Sequence, residues 1–142
     1  MPTSKASAEW NGGLKGGKGR HHAASGAFSG DYTFASRFES SGGTNPEELL
    51  AAAHASCFAM ALSAGLEKSG HPPTSIKATA HCTLESPGGV PTITRMQLEV
   101  RGTVPGIDQA AFQQAADAAK DGCVVSRALK GNVEMILDAK LE

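Results

Sequence analysis

The chain has 142 residues, the size of a single domain, and carries 13 basic and 14 acidic side chains. A net charge this close to zero argues against a protein whose main activity is to bind the phosphate backbone of a nucleic acid. The sequence lacks an apolar run long enough for a signal peptide, or an uninterrupted one of the roughly 20 residues that cross a bilayer, which predicts a cytoplasmic protein without a membrane partner.

The first 31 residues are rich in glycine, serine, lysine and histidine. Only residues 7–10 suggest a strand there, and residues 12–30 are predicted to form a loop. Residues 32–38 alternate aromatic and small side chains, which predicts a short strand that ends at Arg37, Phe38 and Glu39.

A long helix is predicted to begin at Asn45. Asparagine is a good N-cap, Pro46 suits the first helical position, and Glu48 completes a capping-box pattern. Gly70, with a proline two residues later, ends the helix after about 24 residues, or about 36 Å at the usual helical rise.

An antiparallel hairpin is predicted after this helix. Apolar and polar residues alternate over residues 74–85 and again over residues 92–104, with a Ser-Pro-Gly-Gly turn between them. Cys82 faces inward in this pattern, together with Ala80 and Leu84, which favours a structural role for its thiol.

The C-terminal part contains two more helices and a strand. Asp108 is predicted to cap a helix that runs to Asp121 and ends at Gly122. A short helix over residues 124–129 and a closing strand over residues 133–139 follow.

The long helix carries no charged residue between Glu48 and Glu67, so it is apolar on nearly all sides. One small sheet covers only part of such a helix, and exposing the rest costs about 25 cal/mol per Å² of apolar area. A second subunit is the simplest cover. We therefore predict an α+β homodimer in which antiparallel sheets pack around long central helices, and a monomeric mass at low micromolar concentration would refute it.

Three cysteines, Cys57, Cys82 and Cys123, cannot all pair within one chain and are too few for a disulfide scaffold, so any disulfide is expected to be transient. Cys57 lies in the apolar helix, where a thiol is a poor nucleophile unless a cation is brought to it, because apolar surroundings disfavour the thiolate. Cys123 is expected on a less apolar and more mobile segment. His54 is expected to be a polar packing residue rather than a zinc ligand, because no paired spacing supplies the other ligands.

The segment around Cys57 has a distinctive sequence, since residues 45–62 read NPEELLAAAHASCFAMAL. This segment, with residues 34–39 before it and residues 122–126 after it, resembles the OsmC/Ohr family, the osmotically inducible and organic hydroperoxide resistance proteins. The residues that lead up to Cys57 are more similar to the OsmC branch than to the Ohr branch. The order and spacing of the elements agree with the family across nearly the whole chain.

The resemblance implies an intertwined α+β homodimer and a thiol-dependent peroxidase without a cofactor, which reduces organic hydroperoxides and, less well, hydrogen peroxide. Cys57 would attack the peroxide and become a sulfenic acid, which Cys123 would resolve into a Cys57–Cys123 disulfide. Arg37 matches the arginine of the family's site and would hold the thiolate and the alkoxide. Glu47 matches the family's glutamate and would orient Arg37 through a bidentate pair. A dithiol reductant, either a lipoyl protein or a thioredoxin-like protein, would regenerate the thiols.

Helix geometry adds an expectation about the dimer. Glu47 and Cys57 are ten residues apart in the sequence, or about 15 Å along the predicted helix axis. That distance is too long for both to contact one guanidinium, so we expect Glu47 of one subunit to face Cys57 of the other. Each dimer would then hold two sites, each built from both chains.

Two other functions fit the same residues. A redox-sensing or binding dimer would form the same disulfide with little turnover, and steady-state rates with an added dithiol separate it from a peroxidase. A structural dimer with incidental thiols predicts slow thiol blocking at Cys57, since nothing then favours its thiolate.

Overall fold

The computed structural model describes residues 1–142 and divides into two compact units, Met1–Leu49 and Leu50–Glu142. The first unit contains strands β1 (Ala6–Asn11), β2 (Lys18–Ala23) and β3 (Ser29–Tyr32), helix α1 (Phe34–Phe38) and the start of helix α2 (Pro46–Lys68). The second unit continues α2 and contains strands β4 (Ser75–Glu85), β5 (Thr92–Thr103) and β6 (Glu134–Leu141) and helices α3 (Gln109–Gly122) and α4 (Val124–Leu129). The predicted α+β class is confirmed, whereas a single domain over residues 1–142 stays a prediction.

The sheet of the first unit is antiparallel, with strand order β1-β2-β3. The loop predicted over residues 12–30 is therefore wrong, because β2 and the start of β3 lie inside it. The inward positions of β2 include Gly19 and His21, which give no β-branched or aromatic strand signal. Gly19 lies against the rings of Trp10 and Tyr32, where any side chain would collide with them. Strand β2 therefore requires a glycine at position 19, although a glycine in a sequence usually indicates a loop.

The strand predicted over residues 32–38 is also wrong after its first residue, because α1 begins there. Thr33 caps this helix: its hydroxyl accepts a hydrogen bond from the Ser36 amide at 3.1 Å, while the Ser36 hydroxyl accepts one from the Thr33 amide at 2.8 Å. This reciprocal pair is a capping box with serine in the place of the usual glutamate. Phe34 and Phe38, which suggested strand alternation, lie one turn apart with their ring centroids 4.9 Å from each other.

Helix α2 begins and ends close to the predicted positions. The Asn45 side chain accepts a hydrogen bond from the Glu48 amide at 2.8 Å, and the Glu48 carboxylate accepts one from the Thr44 hydroxyl at 2.7 Å. At the other end Gly70 has φ of 87°, and the amide of His71 returns to the Leu66 carbonyl at 2.8 Å. Glycine adopts this left-handed conformation without steric strain, which explains why Gly70 marks the end of the helix.

The sheet of the second unit has the order β4-β5-β6. The predicted β4–β5 hairpin is confirmed as antiparallel, with an irregularity between Thr83 and Leu84. The expectation of purely antiparallel sheets is wrong for β6, which pairs with β5 in parallel. The two strands are joined through α3 and α4, and a helical crossover of that length is the connection that parallel strands need.

One face of α2 enters the hydrophobic core of the second unit through Phe58, Leu62 and Leu66, which are at most 2% exposed. Their i, i+4 spacing places them in one row along the helix. The rest of the core comes from strands β5 and β6, from helix α3 and from the residues just after β5 and α3. These residues are Leu98, Val100, Val104, Phe112, Ala116, Ala119, Cys123 and Ala139.

The opposite face of α2 is exposed in the single chain. It presents Met60, 77% exposed, among small residues that include Ala53, Ser56 and Ala64. By length and composition alone α2 could cross a membrane, but a core helix passes the same test, and the Phe58 row packs in a protein core. The exposed stripe is the surface that a second subunit would cover, and the homodimer stays a prediction.

Candidate active site

Arg37 lies on α1, which is fixed by the residues just before α2. The Ser36 hydroxyl donates a hydrogen bond to the Thr44 carbonyl at 2.8 Å, and the Asn45 amide side chain donates one to the Ser36 carbonyl at 2.9 Å. Ser36 is 3% exposed, so these bonds form in a buried setting where an unpaired polar group is costly. The short helix is therefore tied firmly to the segment that carries Glu47.

Arg37 and Glu47 form a forked ion pair. The Arg37 Nε donates to both carboxylate oxygens of Glu47, at 3.0 and 3.3 Å, and its Nη2 donates to Oε1 at 2.8 Å. Glu47 is 6% exposed, and the Arg37 side chain is 39% exposed. The ring of Phe38 lies 5.3 Å from the guanidinium carbon, within the range of a cation–π contact. The guanidinium is thus fixed in direction and still open enough to meet an anion.

Cys57 and Cys123 come together in the second unit as free thiols: Cys57 packs against the core cluster that contains Cys123, and it is close enough to lower the pKa of Cys123. Cys57 is half-buried on α2, whereas Cys123 is 1% exposed at the N-cap of α4. The expectation that Cys123 lies on the less apolar segment is wrong. Its amide is bonded to the Ala119 carbonyl at 2.8 Å, which continues the α3 pattern and keeps its side chain in the core.

The surroundings of Cys123 favour its thiolate. Burial raises the pKa of Cys123, but the polar groups beside it, namely the Ser126 amide, the Cys57 side chain, the Ser126 hydroxyl and the Val125 amide, outweigh that effect, so that the pKa lies below its ordinary value. None of the amides closes a regular cap bond with the sulfur, yet together they direct positive dipoles at it.

A buried polar contact lies beside the thiols. The Nε2 of His54 is 2.7 Å from the hydroxyl oxygen of Ser126, and the two residues are 0% and 2% exposed. Burial lowers the pKa of His54, so its imidazole is neutral near pH 7. Sequence reasoning placed His54 as a polar packing residue and missed Ser126. The available signal was the three-residue spacing from Cys123 to Ser126 at the start of a helix, which matches the spacing from His54 to Cys57.

The candidate residues are thus assembled as two pairs. The first unit holds the pair of Arg37 and Glu47, and the second holds the pair of Cys57 and Cys123. Cys82 lies on β4 opposite Met96 of β5. Two neighbouring thiols can interconvert with a disulfide, and a half-buried thiol is accessible to a small oxidant.

Comparisons with known proteins agree on one family. A family model described as OsmC-like protein matches residues 39–138. Peroxiredoxin OsmC of Escherichia coli is 45% identical over 139 residues, which cover 97% of this chain and 96% of that protein. The organic hydroperoxide resistance protein of Xanthomonas axonopodis is 34% identical over 98 residues, covering 67% of this chain and 66% of that protein. The crystal structure of the organic hydroperoxide resistance protein OhrB of Bacillus subtilis superimposes with a TM-score of 0.79 at 26% identity, covering 97% and 98% of the two chains.

Proposed function

This chain belongs to the OsmC-like family and is an enzyme of the peroxidase type, and from that premise we propose that it reduces organic hydroperoxides through Cys57. The single observation that carries the proposal is the contact between the half-buried Cys57 thiol and the buried Cys123 thiol. Such a pair supplies an attacking sulfur that a peroxide can reach and a second sulfur that is already in place to close a disulfide.

In the first step the Cys57 thiolate attacks the outer oxygen of the hydroperoxide. A sulfur–oxygen bond forms, the oxygen–oxygen bond breaks, and the alkoxide takes a proton to leave as an alcohol, while Cys57 becomes a sulfenic acid. In the second step Cys123 attacks the Cys57 sulfur, a disulfide forms, and the hydroxide leaves as water with the proton from Cys123. The second step needs the two sulfurs close together, and their proximity supports these roles for Cys57 and Cys123.

Arg37 and Glu47 supply the electrostatic part of the proposal. A guanidinium held by a buried carboxylate is preorganised to stabilise the thiolate before the attack and the alkoxide after it. Glu47 and Cys57 are on one helix, about 15 Å apart along its axis, so the guanidinium of one subunit serves the Cys57 of its partner in a homodimer. The exposed apolar stripe around Met60 supports that dimer, because a stripe of this kind costs free energy unless it is covered.

The preferred substrates are organic hydroperoxides, with hydrogen peroxide reduced less well. The apolar neighbours of Cys57, among them Phe58 and Ala61, favour an alkyl group over a small polar peroxide. A lipoyl or thioredoxin-like dithiol in the cytoplasm regenerates the thiols, and no cofactor takes part. The relatives support the substrate class, since the Xanthomonas protein is named for organic hydroperoxide resistance.

Peroxide consumption by the reduced protein tests this function. We expect cumene hydroperoxide to be consumed faster than hydrogen peroxide, continuous turnover with an added dithiol, and no turnover by Cys57→Ser. Cys82→Ser is the matched control and retains turnover. One equivalent of disulfide formed without continued turnover would favour the redox-sensing alternative. Slow modification of Cys57 by a thiol-blocking reagent at neutral pH would instead favour a structural dimer.

A further inference from the structure

Helix α4 is attached to the core through one polar side chain. It has six residues, too few for a helix to be stable in water by itself, so its place depends on contacts with the rest of the fold. Its one buried residue is Ser126, whereas Val124 is 70% exposed and Val125 is only partly buried. No side chain caps its first turn. The contact that Ser126 makes is therefore the most deeply buried anchor of α4.

That contact is a hydrogen bond to α2. The hydroxyl oxygen of Ser126 lies 2.7 Å from Nε2 of His54, which is 0% exposed. His54 lies four residues before Phe58, at the start of the row that enters the core of the second unit. Apolar contacts are non-directional, whereas a hydrogen bond depends on angle as well as on distance. The bond between His54 and Ser126 therefore fixes the rotation of α4 as well as its place.

The two cysteines lie at matching positions beside this hydrogen bond. Cys57 follows His54 by three residues on α2, and Cys123 precedes Ser126 by three residues at the N-cap of α4. Residues three apart lie on one face of a helix, so the hydrogen bond and the cysteine pair join the same faces of α2 and α4. A tie at Ser126 therefore also holds Cys123 in place near Cys57.

We infer that His54 and Ser126 are positioning residues for disulfide formation, because their hydrogen bond holds α4 in the orientation from which Cys123 attacks Cys57. The inference rests on the proposed function, in which Cys123 attacks the sulfenic acid of Cys57. In that step the bond between the two sulfurs forms, the sulfur–oxygen bond breaks, and hydroxide leaves as water with the proton from Cys123. Neither His54 nor Ser126 exchanges a proton in the step.

Disulfide formation is sensitive to small shifts of α4. The Cα atoms of bridged cysteines are usually about 4.4–6.8 Å apart, so the two helices have to stay close. A misplacement of about 1 Å can slow a reaction by about a hundredfold. The attack on the hydroperoxide uses the sulfur of Cys57 on α2 and needs no group of α4. A loosened α4 should therefore slow the second step and leave the first unchanged.

The polar pair gives this orientation at a cost in stability. Nδ1 of His54 is buried and has no hydrogen-bond partner, which costs free energy whichever ring nitrogen carries the proton. Apolar side chains in place of both His54 and Ser126 would avoid that cost. The contact is thus better explained by the orientation of α4 than by a gain in stability.

Replacing both partners separates orientation from stability. The double variant His54→Leu with Ser126→Ala removes the hydrogen bond and leaves neither partner unpaired, so its unfolding free energy in urea should equal or exceed that of the wild type. The matched control is Gln109→Ala. The Gln109 side chain ties α3 to β6 through the Ala139 carbonyl at 3.0 Å and the Leu141 amide at 2.7 Å, so its loss lowers stability without touching α2 or α4.

The two steps are measured separately with the full chain in a Cys82→Ser background, which leaves two thiols. After mixing with cumene hydroperoxide, sulfenic acid at Cys57 is trapped with dimedone, and the disulfide is followed by mass spectrometry after an acid quench. We expect the double variant to form sulfenic acid at the wild-type rate and the disulfide about tenfold more slowly, as the loss of about one hydrogen bond predicts. His54→Gln, whose side chain still hydrogen bonds to Ser126, should stay within about threefold of the wild type.

Three outcomes would each overturn the positioning role. They are an unchanged disulfide rate in the double variant, a loss of equal size in both steps, and a disulfide rate in His54→Gln as low as in the double variant. Slowing of the second step by Gln109→Ala to the same extent would also overturn it, because general stability would then explain the effect. If the double variant does not fold, Ser126→Ala is compared with Gln109→Ala in the same assays.

A second assay is independent of peroxide reduction. The aromatic disulfide DTNB forms a mixed disulfide at the half-buried Cys57. Cys123 then attacks the Cys57 sulfur, the bond to the aromatic sulfur breaks, and a coloured thiolate leaves while the proton of Cys123 passes to the buffer. We expect the double variant to slow this second release about tenfold and Gln109→Ala to leave it unchanged. If the wild type consumed no peroxide, the proposed function would fail, while this release would still support or overturn the positioning role of His54 and Ser126.

Discussion

Replacing Glu47 by glutamine tests the electrostatic part of the site most directly. The substitution keeps the shape of the side chain and removes the charge that receives three hydrogen-bond contacts from Arg37, at 2.8, 3.0 and 3.3 Å. A hydrogen bond between charged groups contributes about 1.5–3 kcal/mol, and Arg37 is 39% exposed, so solvent screens part of the interaction. If the lost interaction acts only in the transition state, the rate falls by about 10-fold to about 150-fold. The exposure of Arg37 favours the lower figure.

Glu48→Gln is the matched control for this substitution. Glu48 is in the same helical turn but exposed, and its carboxylate accepts a hydrogen bond from the Thr44 hydroxyl. Its replacement should change the rate by no more than about twofold, as is usual for surface positions. The assay is the rate of Cys57 oxidation by cumene hydroperoxide in a single turnover, with enzyme in excess. If Glu47→Gln reacted as fast as Glu48→Gln, the assignment of Arg37 and Glu47 to the reaction would be wrong.

Three further predictions concern assembly, packing and pH. Met60→Lys places a charge in the exposed stripe of α2 and should shift the expected dimer towards monomer in analytical ultracentrifugation; a wild-type monomer at low micromolar concentration would contradict the dimer itself. Phe58→Ala should lower the unfolding free energy by about 3–5 kcal/mol in urea titrations, because Phe58 is 0% exposed, whereas Val90→Ala, at a residue 63% exposed, should have little effect. Cys123 and His54 both have a pKa in the folded state below the ordinary values of 9.0 and 6.5. Between each lowered pKa and its ordinary value, the unfolded chain binds more protons than the folded chain, so the free energy of unfolding should rise with pH across both windows. This stabilisation should be lost as the pH falls through each lowered pKa. Cys123→Ala should flatten the pH dependence in the Cys123 window, and His54→Gln should flatten it in the His54 window.

The elements that were predicted correctly carry their own start and stop signals. Helix α2 has Asn45 at its cap and Gly70 at its end, and the β4–β5 hairpin alternates apolar and polar residues along both strands. Helix α1 was missed because its cap depends on Thr33 and Ser36 bonding to each other, a weaker pattern than one with glutamate. The parallel pairing of β6 was missed because pairing direction depends on how α3 and α4 return the chain, which periodicity does not record.

The site was predicted in part, and from resemblance more than from pattern. The motif around Cys57 identified the family, and the four candidate residues lie in two contacting pairs, although their roles in a reaction stay predictions. Cys123 was expected on a less apolar and more mobile segment, whereas tertiary packing buries its side chain and leaves that of Cys57 half-buried. Ser126 was not predicted, because its three-residue spacing from Cys123 is a weak signal and its hydrogen-bond partner, His54, lies 72 positions away in the sequence.

The unequal burial of the two sulfurs has a consequence for the oxidised protein. An incoming dithiol can reach the half-buried Cys57 more easily than the enclosed Cys123, so the transient mixed disulfide should form at Cys57. Cys123 is then the leaving group, and thiols with a lowered pKa leave faster. The burial of Cys123 therefore determines which sulfur of the disulfide an outside thiol attacks and which sulfur leaves.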